Sequence, residues 1–113
     1  GARLPTEAEW EHAAASVALP QSTPALHPSA ATETGLTQLF ASAWQWTASA
    51  YLGYPGFETA EGAVGEYNGK FMCNQFVLRG SSVATAVGHQ RLSYRSFFPP
   101  DKRWQFTGIR LAQ

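Results

Sequence analysis

The sequence has very little cysteine and no long apolar run. Cys73 is the only cysteine, so the chain can form neither an intramolecular disulfide nor a thiolate cluster that binds a metal by itself. We expect Cys73 to be a buried small hydrophobe, in a protein that resides in the reducing cytoplasm. No apolar stretch approaches the roughly 20 residues needed to cross a bilayer, so no membrane partner is expected.

An excess of charge of one sign is also lacking. Eight basic and eight acidic side chains balance, and no segment concentrates Lys or Arg. Proteins that bind nucleic acid need a positively charged surface, so the composition argues against nucleic acid and favours small molecules as partners. With 113 residues, 44% of them hydrophobic, the chain suits a single domain with one core.

A strong helix start follows the first five residues. Thr6 and Glu9 have the spacing of a capping box, in which each side chain satisfies a backbone N–H group of the other residue. We therefore predict a helix from about residue 6 to residue 16. Its apolar positions recur at the helical period and indicate a buried face made of Trp10, Ala13, Ala14 and Val17.

The remaining sequence predicts short strands and long loops, and hence a loop-rich α+β domain. Residues 18–35 and 51–69 predict irregular connections, the second containing an Asn-Gly turn at Asn68. Trp44 and Trp46 lie on one side of a strand predicted over residues 39–47, and we expect both rings in the core. Further strands are predicted over residues 76–78, 92–95 and 109–111.

Four segments carry the motifs of a known family. They read GARLPTEAEWEHAA from residue 1, WQWTASAYLGYPGF from residue 44, GAVGEYNGKFMCNQFVLRG from residue 62 and YRSFFPPDKRWQFTGIRLA from residue 94. Together they resemble the formylglycine-generating-enzyme-like (sulfatase-modifying factor) superfamily, and within it the iron-dependent sulfoxide synthases of ergothioneine biosynthesis. The resemblance implies a C-type-lectin-like fold with one main helix, short antiparallel strands and large loops.

The resemblance also implies that two domains of the enzyme have different roles. In that family a non-haem Fe(II) is bound by three histidines of an N-terminal helical bundle, and the lectin-like domain forms a wall of the substrate tunnel. The reaction joins a thiol, either cysteine or γ-glutamylcysteine, to trimethylhistidine. Residues 1–113 are then a partial domain, inactive alone, with no cofactor of its own and with a helical-bundle domain or a second copy of itself as partner.

No metal site is expected within this chain. Its three histidines lie far apart in sequence, without the short spacings that place two ligands on one helix or turn, and they are His12, His27 and His89.

Candidate site residues follow from the resemblance and from the chemistry of the implied substrates. A trimethylammonium group favours aromatic faces, and a substrate carboxylate favours Lys or Arg. The candidates for substrate binding are Tyr94, Ser96, Phe97, Phe98, Lys102, Arg103 and Trp104. Tyr67 is a candidate catalytic proton donor near the iron centre. Ring packing in loops and solvated surface charge are the alternative roles for these residues.

The sequence departs from the family pattern at three positions. Ser81 replaces the second glycine of the R-G-G-S motif, and Ser96 replaces an asparagine of Y-R-N-F-F. Val83 opens a stretch without the cysteine pair that formylglycine formation requires, so that reaction is excluded. These changes keep a second hypothesis open, in which the chain is a non-catalytic, lectin-like ligand-binding domain of the kind found in diversified variable proteins.

Overall fold

The computed structural model describes residues 1–22, 25–70 and 72–113, except for the side chains of residues 67 and 68. Its elements are α1 (Glu7–Ala14), β1 (Trp44–Ala50), α2 (Ala63–Lys70), β2 (Phe76–Arg79), β3 (Ser96–Phe98) and β4 (Thr107–Gly108). The strands form one sheet in the order β3-β2-β1-β4. β2 pairs antiparallel with β1 and with β3, whereas β4 pairs parallel with β1. The predicted α+β class is confirmed.

Helix α1 begins at the predicted capping box. The Thr6 hydroxyl accepts a hydrogen bond from the Glu9 N–H at 3.2 Å, and the Thr6 N–H donates to the Glu9 carboxylate at 2.8 Å. Arg3 donates two hydrogen bonds of 2.8 and 2.7 Å to the same carboxylate. The helix ends at Ala14, two residues earlier than predicted, and Ala13 is exposed instead of lying on the buried face.

The core lies between α1 and the sheet. Trp10, Ala14, Leu39 and Phe40 form its buried cluster, and the Trp10 ring meets the Phe40 ring edge-on with 5.6 Å between centroids. The indole N–H of Trp10 donates to the side-chain oxygen of Gln45 at 2.7 Å. The expected burial of Trp10 is therefore confirmed, and its polar atom is satisfied within the core.

The buried face of β1 is the opposite of the one predicted. Gln45 and Thr47 are 5% and 1% exposed, whereas Trp44 and Trp46 are only half-buried. Burial of the Gln45 amide is tolerated because it accepts from Trp10 and donates to two backbone carbonyls at 3.0 and 2.9 Å. The Thr47 hydroxyl likewise donates to a backbone carbonyl of β2 at 2.8 Å. Hydrogen bonding, more than hydropathy, therefore determines which face of β1 is buried.

Several boundaries differ from the sequence-based prediction. β1 starts at Trp44 instead of residue 39, since Ala41 has a left-handed φ of 58° that interrupts an extended chain. Residues 63–70 form a helix with Glu66 in its first turn and Lys70 in its last, which suits the helix dipole, so the predicted turn was wrong. The strands expected at 92–95 and 109–111 lie at 96–98 and 107–108.

The segment before β1 and the region around β2 test the remaining expectations about local structure. The strand predicted at 76–78 is confirmed as β2, and the described part of residues 18–35 contains no helix or strand. Cys73 is exposed instead of buried, because it lies on the turn before β2, next to Asn74 with a φ of 53°.

A fully buried arginine at the end of β2 ties the sheet to α1. The Arg79 guanidinium donates to Glu11 and to the backbone carbonyls of Leu92 and Ser93, both at 3.1 Å. Burial lowers the pKa of Arg79, and the nearby negative charge of Glu7 opposes that change. One side chain thus joins β2, α1 and the segment before β3.

Removing this guanidinium should be costly. We expect Arg79→Met to lower the free energy of unfolding by about 3 kcal/mol, because the substitution removes one partner of a buried ion pair and the donors of two carbonyls. Urea unfolding followed by circular dichroism measures the change. The exposed Arg103→Met is the control and should stay within about 0.5 kcal/mol. Equal stability of the two variants would contradict this account of Arg79.

The capping box should make stability depend on pH. The hydrogen bonds from Arg3, followed by those from Thr6, lower the pKa of Glu9 from 4.5 to about 2. Because the folded-state pKa is lowered, the stabilisation is complete above pH 4.5 and is lost as the pH falls towards 2. Glu9→Gln should therefore lower the melting temperature at pH 7, and its difference from the wild type should shrink below pH 4.5.

The matched control for this titration is Glu33→Gln, which removes the same charge from an exposed position in the long connection. It should leave the melting temperature unchanged at both ends of the pH range. A Glu9→Gln difference that is constant from pH 7 to pH 2 would show that the carboxylate charge is not the source of the stabilisation.

Candidate functional site

A cleft opens where β3 and the segment before β4 meet the start of β1. Its volume is about 330 Å³, close to the lower end of small-molecule sites, which run from roughly 300 to 1,000 Å³. The lining combines aromatic rings with small hydroxyl and amide groups, none of them charged, and consists of Trp44, Ser82, Ala84, Thr85, Ser96, Phe98, Trp104, Gln105 and Phe106. Such a cleft suits a ligand about as large as an amino acid.

A larger groove of about 630 Å³ runs along α1, but its charged groups are already engaged. Glu7 accepts two hydrogen bonds from Arg95 at 2.8 and 2.9 Å, and Glu11 is bound to Arg79. These side chains hold the helix on the sheet. The smaller cleft, whose polar groups are less committed, is the better candidate site.

Strand β3 builds the aromatic walls of the cleft. Because side chains alternate along a strand, Ser96 and Phe98 share one face and Phe97 takes the other. The Phe98 ring meets the Trp104 ring at 90° with 5.1 Å between centroids, on the cleft side. The Phe97 ring stacks on Tyr51 with 4.1 Å between centroids, away from the cleft. The two adjacent phenylalanines therefore have different environments.

The turn after β2 supplies the small polar groups. Gly80 has a φ of +95°, and a Cβ atom there would lie 2.3 Å from the Leu39 carbonyl oxygen, so this glycine is the one that the turn requires. Ser81 is fully buried, and its hydroxyl accepts a hydrogen bond from the Ala41 N–H at 2.7 Å. The Thr85 hydroxyl then accepts a hydrogen bond from the Ser82 N–H at 3.1 Å, and the Thr85 N–H donates to the Ser82 carbonyl at 3.0 Å. Serine at position 81 thus fits the turn and does not line the cleft.

The cleft collects three of the candidates predicted from sequence, namely Ser96, Phe98 and Trp104. Tyr94 lies behind Trp44, with 5.2 Å between ring centroids, and is not part of the lining.

The other candidates lie outside the cleft, except for one whose side chain is not in the described part of the chain. Lys102 and Arg103 are exposed, and the Lys102 ammonium lies 3.3 Å from the carboxylate of Asp101. Phe97 packs on the opposite face of β3. The side chain of Tyr67 falls outside the described part of the chain. The substrate-binding and catalytic roles assigned to all these residues stay predictions.

Sequence reasoning overlooked several lining residues. Trp44 was assigned to the core, and Gln105 and Phe106 were passed over although they follow Trp104 directly. The backbone holds them together: the Trp44 N–H donates to the Phe106 carbonyl at 2.9 Å.

The donor set of the described side chains does not fit an iron site. No group of three or more His, Cys, Asp or Glu side chains comes together within the described ranges. His12 lies on α1, His27 packs near Phe106 with 6.2 Å between ring centroids, and His89 packs near Tyr94 at 5.2 Å. In the same ranges, no helix has the length and apolar character needed to span a membrane.

The motifs that form the cleft match a known family. The model of the sulfatase-modifying factor enzyme 1-like domain matches residues 18–113. The chain belongs to this family. The domain is also 33% identical over 141 residues to the hercynine oxygenase of Mycolicibacterium smegmatis, covering 99% of this chain and 33% of that protein. The resemblance to a formylglycine-generating-enzyme-like, ergothioneine-related superfamily is confirmed.

Other relatives agree with this placement. The hercynine oxygenase of Mycolicibacterium thermoresistibile is 32% identical over 149 residues, covering 99% of this chain and 32% of that protein. Ergothioneine biosynthesis protein 1 of Schizosaccharomyces pombe is 31% identical over 90 residues, covering 78% of this chain and 12% of that protein. The sulfatase-modifying factor domain thus spans about a third of the length of the hercynine oxygenases that it matches.

The neighbours Phe97 and Phe98 offer a matched test of this geometry. We expect Phe97→Ala to lower the free energy of unfolding by about 2 kcal/mol, since the ring stacks on Tyr51. Phe98→Ala should cost less, about 1 kcal/mol, because its ring borders an open cleft, but it should increase quenching of tryptophan fluorescence by acrylamide as Trp104 loses its neighbour. The reverse pattern, with quenching raised only by Phe97→Ala, would show that Phe97 and not Phe98 borders the cleft.

Proposed function

We propose that this domain is a substrate-binding wall of an iron-dependent sulfoxide synthase of ergothioneine biosynthesis, and that it is inactive alone. The observation that carries the proposal is the uncharged aromatic cleft formed by Trp44, Phe98 and Trp104. These residues lie on two of the motif segments that resemble the sulfoxide synthases. The likeness to proteins named hercynine oxygenase supports the same pathway.

The cleft has the chemistry that a trimethylated amine requires. Hercynine, the trimethyl betaine of histidine, carries a permanent positive charge that cannot donate a hydrogen bond. Aromatic faces replace water around such a group and contribute roughly 0.5 to 2 kcal/mol per contact. Phe98 and Trp104 meet at a right angle and Trp44 adds a third ring, so a methylated cation can contact more than one ring.

Basic residues stand close to this cleft in the sequence. Lys102 and Arg103 immediately precede Trp104, and both are exposed to solvent. The ion pair between Lys102 and Asp101 is solvent-exposed and therefore weak, so the ammonium group can exchange it for a substrate carboxylate. We assign this pair of cations to the carboxylate of the thiol substrate, cysteine or γ-glutamylcysteine.

Iron belongs to another part of the proposed enzyme. In the sulfoxide synthases that the motifs resemble, three histidines of a helical bundle bind it, and there it supplies the oxidation chemistry. The cleft residues of this domain bind and orient the substrates and exclude water from one side of them. A helical-bundle domain, or a second copy of the chain, is the partner in this proposal, together with a C-type-lectin-like fold and a cytoplasmic location.

A domain graft tests the proposal. The third of the M. smegmatis hercynine oxygenase that matches this chain is replaced by it, and sulfoxide formation from hercynine and each thiol is followed by mass spectrometry with Fe(II) and oxygen. We expect the graft to be active and the chain alone to be inactive. Within the graft, Trp104→Ala should raise the KM for hercynine about tenfold with a smaller change in kcat, because one face for the cation is lost.

The control variant is Leu26→Ala, which shortens an exposed side chain in the long connection and should leave both constants unchanged. A graft that folds by circular dichroism yet forms no sulfoxide with either thiol would count against the proposal. If the isolated chain then also binds no hercynine, the non-catalytic, lectin-like binding domain becomes the better account.

A further inference from the structure

Gln105 carries a buried amide whose two polar atoms both lack a hydrogen-bond partner in the protein. Among the described side chains with buried atoms of this kind, Gln105 alone has two, whereas Gln75 and Gln90 each have one. Gln45 uses both ends of its amide, and the Gln90 oxygen accepts from the Gly88 N–H at 3.1 Å. Gln105 also lines the aromatic cleft. An unpaired amide thus lies where a ligand would bind.

The fold itself gives no reason for a glutamine at this position. The segment around Gln105 is held to β1 through the backbone, by the bond between the Trp44 N–H and the Phe106 carbonyl. A buried amide without a partner costs about 1–3 kcal/mol, and an apolar side chain of the same shape would avoid that cost. Unsatisfied buried polar groups are uncommon in folded proteins and call for an explanation. Of the described residues with such atoms, Gln105 is the one that lines the aromatic cleft.

We propose that Gln105 is a specificity-determining residue that binds the amino-acid head group of the thiol substrate, an inference that rests on the proposed function. A primary amide offers an acceptor, Oε1, beside a donor, Nε2. Its complement is a group with an N–H donor next to a carboxylate. The cysteine residue presents this pair both as the free amino acid and within γ-glutamylcysteine, where the nitrogen is an amide N–H.

Trimethylhistidine lacks half of this complement. Its nitrogen carries three methyl groups and no hydrogen, so its carboxylate can accept from Nε2 while Oε1 of Gln105 stays without a donor. A site that leaves a buried polar atom unpaired rejects the ligand that lacks the matching group. Gln105 therefore separates the two substrates, favouring the thiol at the amide and leaving the trimethylated cation to the aromatic rings.

The test uses the whole chain and two probes that differ only at nitrogen, S-methyl-L-cysteine and its N,N,N-trimethyl derivative. The thioether avoids disulfide formation with Cys73. Binding is measured by tryptophan fluorescence and stability by thermal unfolding. The aromatic rings favour the trimethylated probe in every variant, so the readout for Gln105 is the ratio of the two affinities. Gln105→Met, similar in shape but without the amide, should shift this ratio at least tenfold towards the trimethylated probe and should melt at a higher temperature without ligand.

The control is Gln113→Met, which makes the same chemical change at an exposed position and should keep the wild-type preference. An affinity ratio that Gln105→Met leaves unchanged, or no binding of either probe to the wild type at 10 mM, overturns the inference. So does a Gln105→Met variant that is less stable and keeps the preference, since Gln105 would then be a structural residue.

The graft tests the proposed function and the probe experiment tests the role of Gln105, so a negative result in one does not decide the other. Sulfoxide formation by the graft together with an affinity ratio that Gln105→Met leaves unchanged would retain the proposed function and remove the role of Gln105. A ratio shifted by Gln105→Met in the isolated chain, beside an inactive graft, would retain an amino-acid site at Gln105 and remove the oxygenase.

Discussion

The structure depends most on the buried guanidinium of Arg79. A charge at the end of a central strand can be buried only if it is paired and hydrogen-bonded, and Glu11 of α1 and two backbone carbonyls provide those partners. This requirement sets where α1 crosses the sheet and fixes the chain just before β3. Arg95, bound to Glu7 of the same helix, fixes the next residues. The cleft face of β3 is therefore positioned from α1.

Local rules made parts of the fold predictable from sequence. The capping box at Thr6 and Glu9 depends on residues three apart, so it defined the helix start without knowledge of the rest of the chain. The face of β1 depended on distant partners instead: Gln45 is buried because Trp10 and two carbonyls are there to bond with it. Hydropathy favoured the tryptophans, and no sequence pattern reports such long-range hydrogen bonds.

The lining of the cleft was predictable only in part. Family motifs pointed to Ser96, Phe98 and Trp104, and these three residues do meet in one cleft. Strand alternation allows only one of the adjacent rings Phe97 and Phe98 to face the cleft. Sequence alone does not say which one, because that depends on the register of β3 against β2. Gln105 was missed because a single amide in a loop has no pattern until its surroundings are seen.

The distribution of charge explains what this domain can contribute. Four of its buried and half-buried ions, Arg79, Arg95, Glu7 and Glu11, are paired with one another and hold α1 on the sheet. The cleft is lined by rings, hydroxyls and an amide, none of which titrates near neutral pH. Under the proposed function, such a wall distinguishes a methylated cation from an N–H donor and orients both. Because these lining groups offer no acid or base near neutral pH, the proposal assigns the acid–base and oxidation chemistry to the partner domain.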